Sequence, residues 1–121
     1  MKYVALIYNN PVALEALSQS ERDALMSEAD AYFKEFTESG ELLSGGVALA
    51  DSSAGRTVRV RNGIPAVTDG PFAEAKEQLA GYYVLDCESL ERATKIVTHD
   101  PTARFWAVEV RPIMDIVGTE M

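Results

Sequence analysis

Two segments of the chain have the pattern of β-strands that are apolar on both faces. In Lys2–Tyr8 both sets of alternating residues are apolar or aromatic, and Leu79–Asp86 has the same character. A strand of this kind is covered on both sides, because neither face carries the polar residues expected next to water. The chain must therefore fold so that both faces of its sheet are buried.

A long helix and a further strand are predicted between these two segments. Ser18–Glu21 fits a capping box, apolar residues recur at helical spacing as far as Phe36, and Gly40 ends the helix. Glu41–Ala50 then has the composition of a second strand. A helix that connects two strands in this way favours a layered α+β fold.

The remaining predicted elements are an inserted hairpin, a second helix and a final strand. Residues 56–68 are predicted to form the hairpin, because Asn62-Gly63 favours a type I′ turn. The second helix runs from about Ser89 to Asp100-Pro101, which stops it. Its predicted inward-facing residues are Leu90, Ala93, Ile96 and Val97. The last strand is predicted at Arg104–Pro112.

The order of these elements matches an α+β, ferredoxin-like βαββαβ plan with an inserted β-hairpin. A chain of 121 residues has the size of one domain, so we assign residues 1–121 to it. Two helices can cover only one face of a four-stranded sheet. The second apolar face needs a partner, and the simplest partner is another copy of the chain related by a two-fold axis. The sequence therefore predicts a homodimer with its sheets face to face.

Composition and charge exclude several classes of partner. The formal net charge of −8 is unfavourable for binding nucleic acid. No apolar run approaches the roughly 20 residues of a membrane span, and the N-terminal apolar stretch is too short for a signal peptide. We therefore expect a cytoplasmic protein without a membrane partner.

Metal and cofactor sites are also not expected. The chain has one cysteine, Cys87, and one histidine, His99, which excludes an intrachain disulfide and a cysteine-rich or histidine-rich metal cluster. No phosphate-cradling glycine loop, dinucleotide fingerprint or nucleophile elbow occurs. Any chemistry is therefore expected to use side chains alone, with no cofactor.

Asp69 and His99 are the candidate catalytic residues. In the predicted fold the end of the first strand, the hairpin, the Asp69 turn and the end of the second helix meet at one end of the sheet. Imidazole titrates nearest neutrality, and a carboxylate beside it would complete an acid–base pair. The structural alternatives are that His99 caps its helix and that Asp69 makes an Asx turn before Gly70-Pro71.

The candidate substrate-binding residues are Tyr8, Arg59, Phe72, Lys76, Tyr82, Tyr83, Glu109 and Arg111. The arginines could hold an anion, and one of the two adjacent tyrosines would point into the space between the sheets. Each has a structural alternative: hairpin arginines also protect an edge from aggregation, and Glu109 with Arg111 could simply form an ion pair.

The stretch Thr68–Tyr83, which contains Asp-Gly-Pro-Phe, resembles the signature of the DGPF branch of the YCII-related family. Met1–Tyr8, Thr57–Arg61 and Val108–Pro112 carry the same resemblance. It implies a ferredoxin-like fold assembled as a dimeric α/β barrel. It also implies an enzymatic role for a His–Asp pair in the cleft of the wider family, although the first helix here contains no histidine. Likeness to proteins found beside extracytoplasmic-function sigma factors implies a regulatory partner.

Two functional hypotheses follow from these observations, beside the possibility of a structural dimer whose cleft is filled by its own side chains. The first is a homodimer that binds a small polar or anionic metabolite and catalyses cofactor-free proton transfer, as an isomerase or lyase does. The second is a non-catalytic module that binds a ligand or a protein and is linked to sigma-factor regulation.

Overall fold

The computed structural model describes residues 1–115 and 117–121 as a mixed α+β protein, which confirms the predicted class. The strands are β1 (Lys2–Asn9), β2 (Val47–Ala48), β3 (Arg56–Arg61), β4 (Ile64–Asp69), β5 (Gln78–Asp86) and β6 (Ala107–Pro112). The helices are α1 (Pro11–Glu15), α2 (Gln19–Glu38), α3 (Leu90–Val97) and α4 (Thr102–Phe105), with a short 3₁₀ turn at Ser52–Ala54.

The strands form two separate antiparallel sheets. The main sheet has the order β2-β5-β1-β6, so the two strands that are apolar on both faces occupy its centre. β3 and β4 form a two-stranded sheet of their own, joined at Asn62-Gly63. Both turn residues have positive φ, at 51° and 75°, which confirms the predicted hairpin turn.

The ends of α2 follow from local sequence. The Ser18 hydroxyl accepts a hydrogen bond from the Glu21 N–H at 3.1 Å, and the Glu21 carboxylate accepts one from the Ser18 N–H at 3.0 Å. These bonds form the predicted capping box and hold the pKa of Glu21 below its usual value. Gly40, with φ of 82°, follows the last turn as predicted.

The hydrophobic core lies between the main sheet and its two long helices. Its principal members are Tyr3, Ala5, Tyr32, Phe36, Leu42, Tyr83, Leu85, Ala93, Ile96 and Val97. The helical members come from α2 and α3, and the strand members come from alternate positions of β1 and β5. Both helices therefore cover the same side of the sheet.

Within residues 1–115 and 117–121, the helices that contribute to the core lie on this one side of the main sheet, and we call the other side the open face. Leu6 pairs with Tyr82 on one side and with Glu109 on the other. Val47 pairs in turn with Tyr82. Tyr82 and Val47 remain 39% and 42% exposed. An apolar row across an uncovered sheet is a surface that favours association.

Two predicted strands differ from the structure. Of Glu41–Ala50, only Val47–Ala48 is regular strand, and Leu42 makes an isolated bridge to Leu85. Gly45 and Gly46 interrupt the segment, since neither supplies a side chain that would hold it to the sheet. The last strand begins at Ala107 rather than Arg104, because Thr102–Phe105 forms α4.

Two short helices and one exposed residue were also not predicted. The Asn10 side chain accepts hydrogen bonds from the N–H groups of Val12 and Ala13, at 3.0 and 3.4 Å, and so caps α1. In α3, Leu90 is exposed instead of facing inward, whereas the other three predicted positions are buried. Ser89 caps this helix as expected, accepting from Arg92 N–H at 3.1 Å.

Gly81 lies opposite Ala48 where β5 pairs with β2. A Cβ atom on Gly81 would lie 2.5 Å from the Val47 carbonyl oxygen. We therefore expect Gly81→Ala to displace β2 and to lower the free energy of unfolding in urea by about 1–2 kcal/mol. Gly45→Ala is the matched control, because a Cβ there meets no atom within 4 Å. Equal losses in the two variants would contradict this steric explanation.

Candidate functional site

A concave surface lies at the base of the β3–β4 hairpin, and we call it the hairpin groove. Its volume is about 540 Å³, within the range of small-molecule sites. Its walls include Leu49, Arg56, Thr57, Pro71, Phe72, Gln78 and Leu79. The groove thus combines an apolar floor with one arginine, one aspartate (Asp51) and a few neutral polar groups.

Backbone contacts of the Asp69-Gly70 turn hold the groove in shape. Gly70 has φ of 92°, a conformation that favours glycine. Its N–H donates to the Gly55 carbonyl at 2.8 Å, and its own carbonyl accepts from the Thr57 hydroxyl at 2.9 Å. The turn that follows β4 is therefore fastened to the start of β3.

A smaller cavity of about 110 Å³ adjoins the hairpin groove. The two share the segment Leu49–Ser52 together with Gln78 and Leu79. The smaller cavity extends toward Asn9 and Leu14, at the end of β1 and in α1. The end of the first strand and the hairpin base therefore lie next to one connected depression.

Charged and aromatic side chains form two pairs at the hairpin. The Arg56 Nε lies 3.5 Å from an Asp69 carboxylate oxygen, and the Asp69 side chain is 90% exposed. The Arg59 guanidinium lies 4.5 Å from the centre of the Phe72 ring, in cation–π geometry. Of the predicted site residues, Arg59 and Phe72 are therefore brought together, and Phe72 also lines the groove.

The structure does not bring the two catalytic candidates together. Asp69 lies at the end of the hairpin, whereas the His99 ring stacks on Phe36 beside the helical layer, with 6.4 Å between ring centres. Among residues 1–115 and 117–121, no hydrogen bond or ion pair joins Asp69 to His99. Lys76 is exposed in the loop between β4 and β5.

The candidates on β1, β5 and β6 divide between the two faces of the sheet. Strand alternation places Tyr8, Tyr82, Glu109 and Arg111 on the open face. Arg111 Nε donates to the Glu109 carboxylate at 2.8 Å, so the ion-pair alternative for these two residues is present. Tyr83 faces the helices instead and is buried in the core.

Tyr83 belongs to a buried polar network that the sequence did not predict. Its hydroxyl donates to Asp100 Oδ2 at 2.7 Å and lies 2.9 Å from the Tyr32 hydroxyl. Burial raises the pKa of both tyrosines well above the usual value, so they stay protonated. Contact of Tyr83 with a bound molecule would require its hydroxyl to leave Asp100.

Asp100 accepts hydrogen bonds both from this network and from Thr102, the first residue of α4. It is 2% exposed, and its Oδ1 accepts from the N–H and the hydroxyl of Thr102, at 2.8 and 2.6 Å. The sequence analysis treated Asp100 only as a helix stop. The pattern Asp-Pro-Thr was a signal for an Asx turn, because Asp side chains commonly bond the N–H two residues on.

The described part of the chain offers no grouping of three His, Cys, Asp or Glu side chains arranged for a metal ion. Cys87 is buried, and burial raises the pKa of its thiol. Over the same residues, none of the helices has the length and apolar character needed to cross a bilayer.

Comparison with known proteins places the chain in a family. The model of the YCII-related domain matches residues 1–117. An uncharacterized protein of Rhizobium meliloti is 38% identical over 116 residues, covering 93% of this chain and 92% of that protein. The fold is similar to that of 5-chloro-2-hydroxyhydroquinone dehydrochlorinase from Burkholderia phenoliruptrix, solved in complex with 2,5-dihydroxybenzoquinone. That similarity has a TM-score of 0.52 at 16% identity and covers 98% of this chain and 99% of the enzyme. The chain therefore belongs to the YCII-related domain family.

Proposed function

We propose that this chain is a ferredoxin-like protomer that pairs as a dimeric α/β barrel and binds a small polar or anionic organic molecule in the hairpin groove. The observation that carries the proposal is the groove itself, in which an apolar floor meets Arg56 beside the Asp69 turn. Pockets with apolar walls and a few placed polar groups are the usual form of ligand sites.

The open face supports the dimer. Leu6, Val47 and Tyr82 form an apolar row that no helix covers. The strand order β2-β5-β1-β6 with both long helices on one side is the arrangement expected for a ferredoxin-like protomer. Pairing of two such faces would bury this row from water, and hydrophobic burial would drive the association.

The fold-level relative supports a compact, oxygen-rich ligand class. That enzyme was solved with a dihydroxybenzoquinone. A groove of about 540 Å³ has room for a single-ring compound of this kind. Arg56 would attract its ionised oxygen, and the Phe72 ring would lie against a planar ring.

The proposed reaction is a proton transfer that needs no cofactor. Asp69 is the group we assign to accept a proton from an acidic C–H or O–H of the ligand and return it elsewhere on the molecule. Arg59, which stacks on the groove-lining Phe72, would hold an anionic oxygen atom of the ligand. Arg111 and Tyr82 lie on the open face, so they would contact a ligand only if it also reached the space between two paired sheets.

One observation favours the non-catalytic alternative. The Asp69 carboxylate is highly exposed and lies near Arg56, while the His99 ring stacks on Phe36. A general acid and a general base must both reach the substrate, and these two side chains lie on different parts of the molecule. A role in binding a ligand, or a protein such as a sigma factor, needs no such pair.

Asp69→Asn separates these functions. Wild-type protein is expected to bind 2,5-dihydroxybenzoquinone in titration calorimetry and to catalyse exchange of a carbon-bound ligand proton with solvent deuterium, followed by NMR. Asp69→Asn should lower the exchange rate by about 100-fold or more and change the binding constant by less than about threefold. Asp30→Asn, an exposed change on α2, is the matched control.

The other outcomes are equally informative. If the wild-type protein binds this ligand but does not accelerate its proton exchange, the catalytic proposal is contradicted for this ligand and the non-catalytic role is favoured. Absence of binding by the wild type would contradict the ligand class. Unfolding of Asp69→Asn would indicate that the carboxylate serves the turn.

A further inference from the structure

We infer that the smaller cavity beside the hairpin groove binds a short aliphatic substituent of the molecule that occupies the groove. We call it the side cavity, and its volume is about 110 Å³. The inference rests on the proposed function for the placement of that molecule in the groove. It adds a specificity site and the class of substituent that the site accepts.

The side cavity and the hairpin groove have walls in common. Leu49, Leu79 and Gln78 line both of them. The Leu49 N–H donates to the Ala80 carbonyl at 2.8 Å, and Leu79 pairs with Tyr8 in the main sheet. Because the two leucines border both spaces, a group attached to a ligand in the groove can extend past them into the side cavity.

The lining of the side cavity is mainly apolar. Its principal apolar members are Pro11, Leu14, Leu49, Leu79 and Ala80. Leu14 is partly buried, whereas Val12 and Ala13 in the same helix are exposed. The short helix α1 therefore presents Leu14 to the cavity and turns its other apolar side chains outward.

Two of the polar residues in the lining are already hydrogen-bonded to nearby groups. The Asp51 carboxylate accepts from the N–H and the hydroxyl of Ser53, at 2.9 and 2.7 Å. The Gln78 side-chain amide donates to the Ala75 carbonyl at 2.5 Å. Asn9 and Ser52 complete the polar part of the lining. A strongly polar substituent would find few partners here, so the lining favours an aliphatic one.

The wall that α1 contributes is held by contacts at both of its ends. The Asn10 side chain caps the start of the helix. At the other end, the Arg22 guanidinium donates to the carbonyls of Leu17 and Leu14, at 3.3 and 3.1 Å. A helix this short is marginal by itself, so these contacts maintain the shape of the cavity. A wall that is already in place lowers the entropic cost of binding a substituent.

The volume of the side cavity sets the length of the substituent. A water molecule occupies about 30 Å³ in the liquid, so the cavity has room for a chain of about three carbon atoms. Burial of each methylene group strengthens binding by about fourfold. A propyl group that enters the cavity should therefore strengthen binding by at least about tenfold, even if it is only partly buried.

The first test compares 2,5-dihydroxybenzoquinone with its 3-propyl derivative in titration calorimetry. We expect the wild-type protein to bind the propyl compound about tenfold or more tightly. Leu14→Trp fills the cavity, so it should reduce this preference to less than about twofold while changing the affinity for the unsubstituted quinone by less than about threefold. Val12→Trp is the matched control on the same helix, at a residue that is 76% exposed, and should keep the preference. Thermal unfolding checks that both variants are folded. Equal affinity of the wild type for the two compounds, or an unchanged preference in Leu14→Trp, would overturn the inference.

The second test needs no quinone and works on the wild-type protein. Leucine methyl resonances are followed by NMR while the protein is equilibrated with xenon, an apolar atom that enters dry apolar cavities. We expect the methyl resonances of Leu14, Leu49 and Leu79 to shift with xenon pressure, and those of Leu49 and Leu79 to lose this response in Leu14→Trp. Absence of the shifts in the wild type would overturn the inference. If xenon enters the side cavity but neither quinone binds, the ligand class of the proposed function is wrong, and the preference of the side cavity for apolar groups is still supported.

Discussion

Tyr83→Phe is expected to lower the free energy of unfolding by about 2–3 kcal/mol. The substitution removes only a hydroxyl, but this hydroxyl donates to the buried Asp100 carboxylate and contacts the Tyr32 hydroxyl. Its loss leaves a charged acceptor with one donor fewer in a core from which water is excluded. Hydrogen bonds to charged groups are the most costly to lose in such a setting.

The adjacent residue supplies the matched control for this prediction. Tyr82→Phe removes the same atom one residue away, on the open face, where the side chain is 39% exposed. We expect a change below about 0.5 kcal/mol, because water can replace an exposed partner. Urea unfolding at neutral pH, followed by circular dichroism, measures both variants. Similar losses in the two would contradict the assignment of Tyr83 to the core network.

The predicted elements that agree with the structure rest on local chemistry. The α2 boundaries depend on Ser18, Glu21 and Gly40, which act within a few residues of each other. The hairpin turn depends on the backbone freedom of Asn62-Gly63. Short segments that are apolar at both sets of alternating positions were enough to identify β1 and β5.

The features that were missed depend on contacts between distant segments or on weak local signals. Tyr83 and Asp100 are 17 residues apart in sequence, and Tyr32 is 51 residues from Tyr83. No spacing rule predicts that these side chains meet. The helices α1 and α4 each comprise only one turn or so, so their stability depends on caps such as Asn10 more than on a hydrophobic pattern.

The position of the candidate site was predicted, but the contacts between its side chains were not. The hairpin base and the end of β1 do lie beside one depression, as strand directions suggested. The prediction could not specify that Arg59 would stack on Phe72, or that Asp69 and His99 would lie on different parts of the molecule. Side-chain direction at the end of an element depends on tertiary packing, which a single sequence does not encode locally.

Leu6→Lys is expected to weaken the proposed homodimer by about 100-fold or more. Leu6 lies at the centre of the open face, between Tyr82 and Glu109. In the protomer the new ammonium group can reach Glu109 on the neighbouring strand, and an opposite-charge cross-strand pair is compatible with folding. In a two-fold interface the same group appears twice and would be buried without adequate pairing, at a cost of about 3 kcal/mol or more, which corresponds to that factor.

A matched charge change away from the open face separates this effect from overall electrostatics. Met26→Lys adds the same charge on the exposed side of α2, at a residue that is 63% exposed. In an acidic chain an added lysine reduces self-repulsion, so Met26→Lys should leave the dimer unchanged or slightly tighter by sedimentation equilibrium. A Leu6→Lys protein that stays dimeric at low micromolar concentration would contradict the open face as the interface. If instead Leu6→Lys yields a folded monomer while Met26→Lys remains dimeric, the apolar row across β2, β5 and β1 is what the second subunit covers.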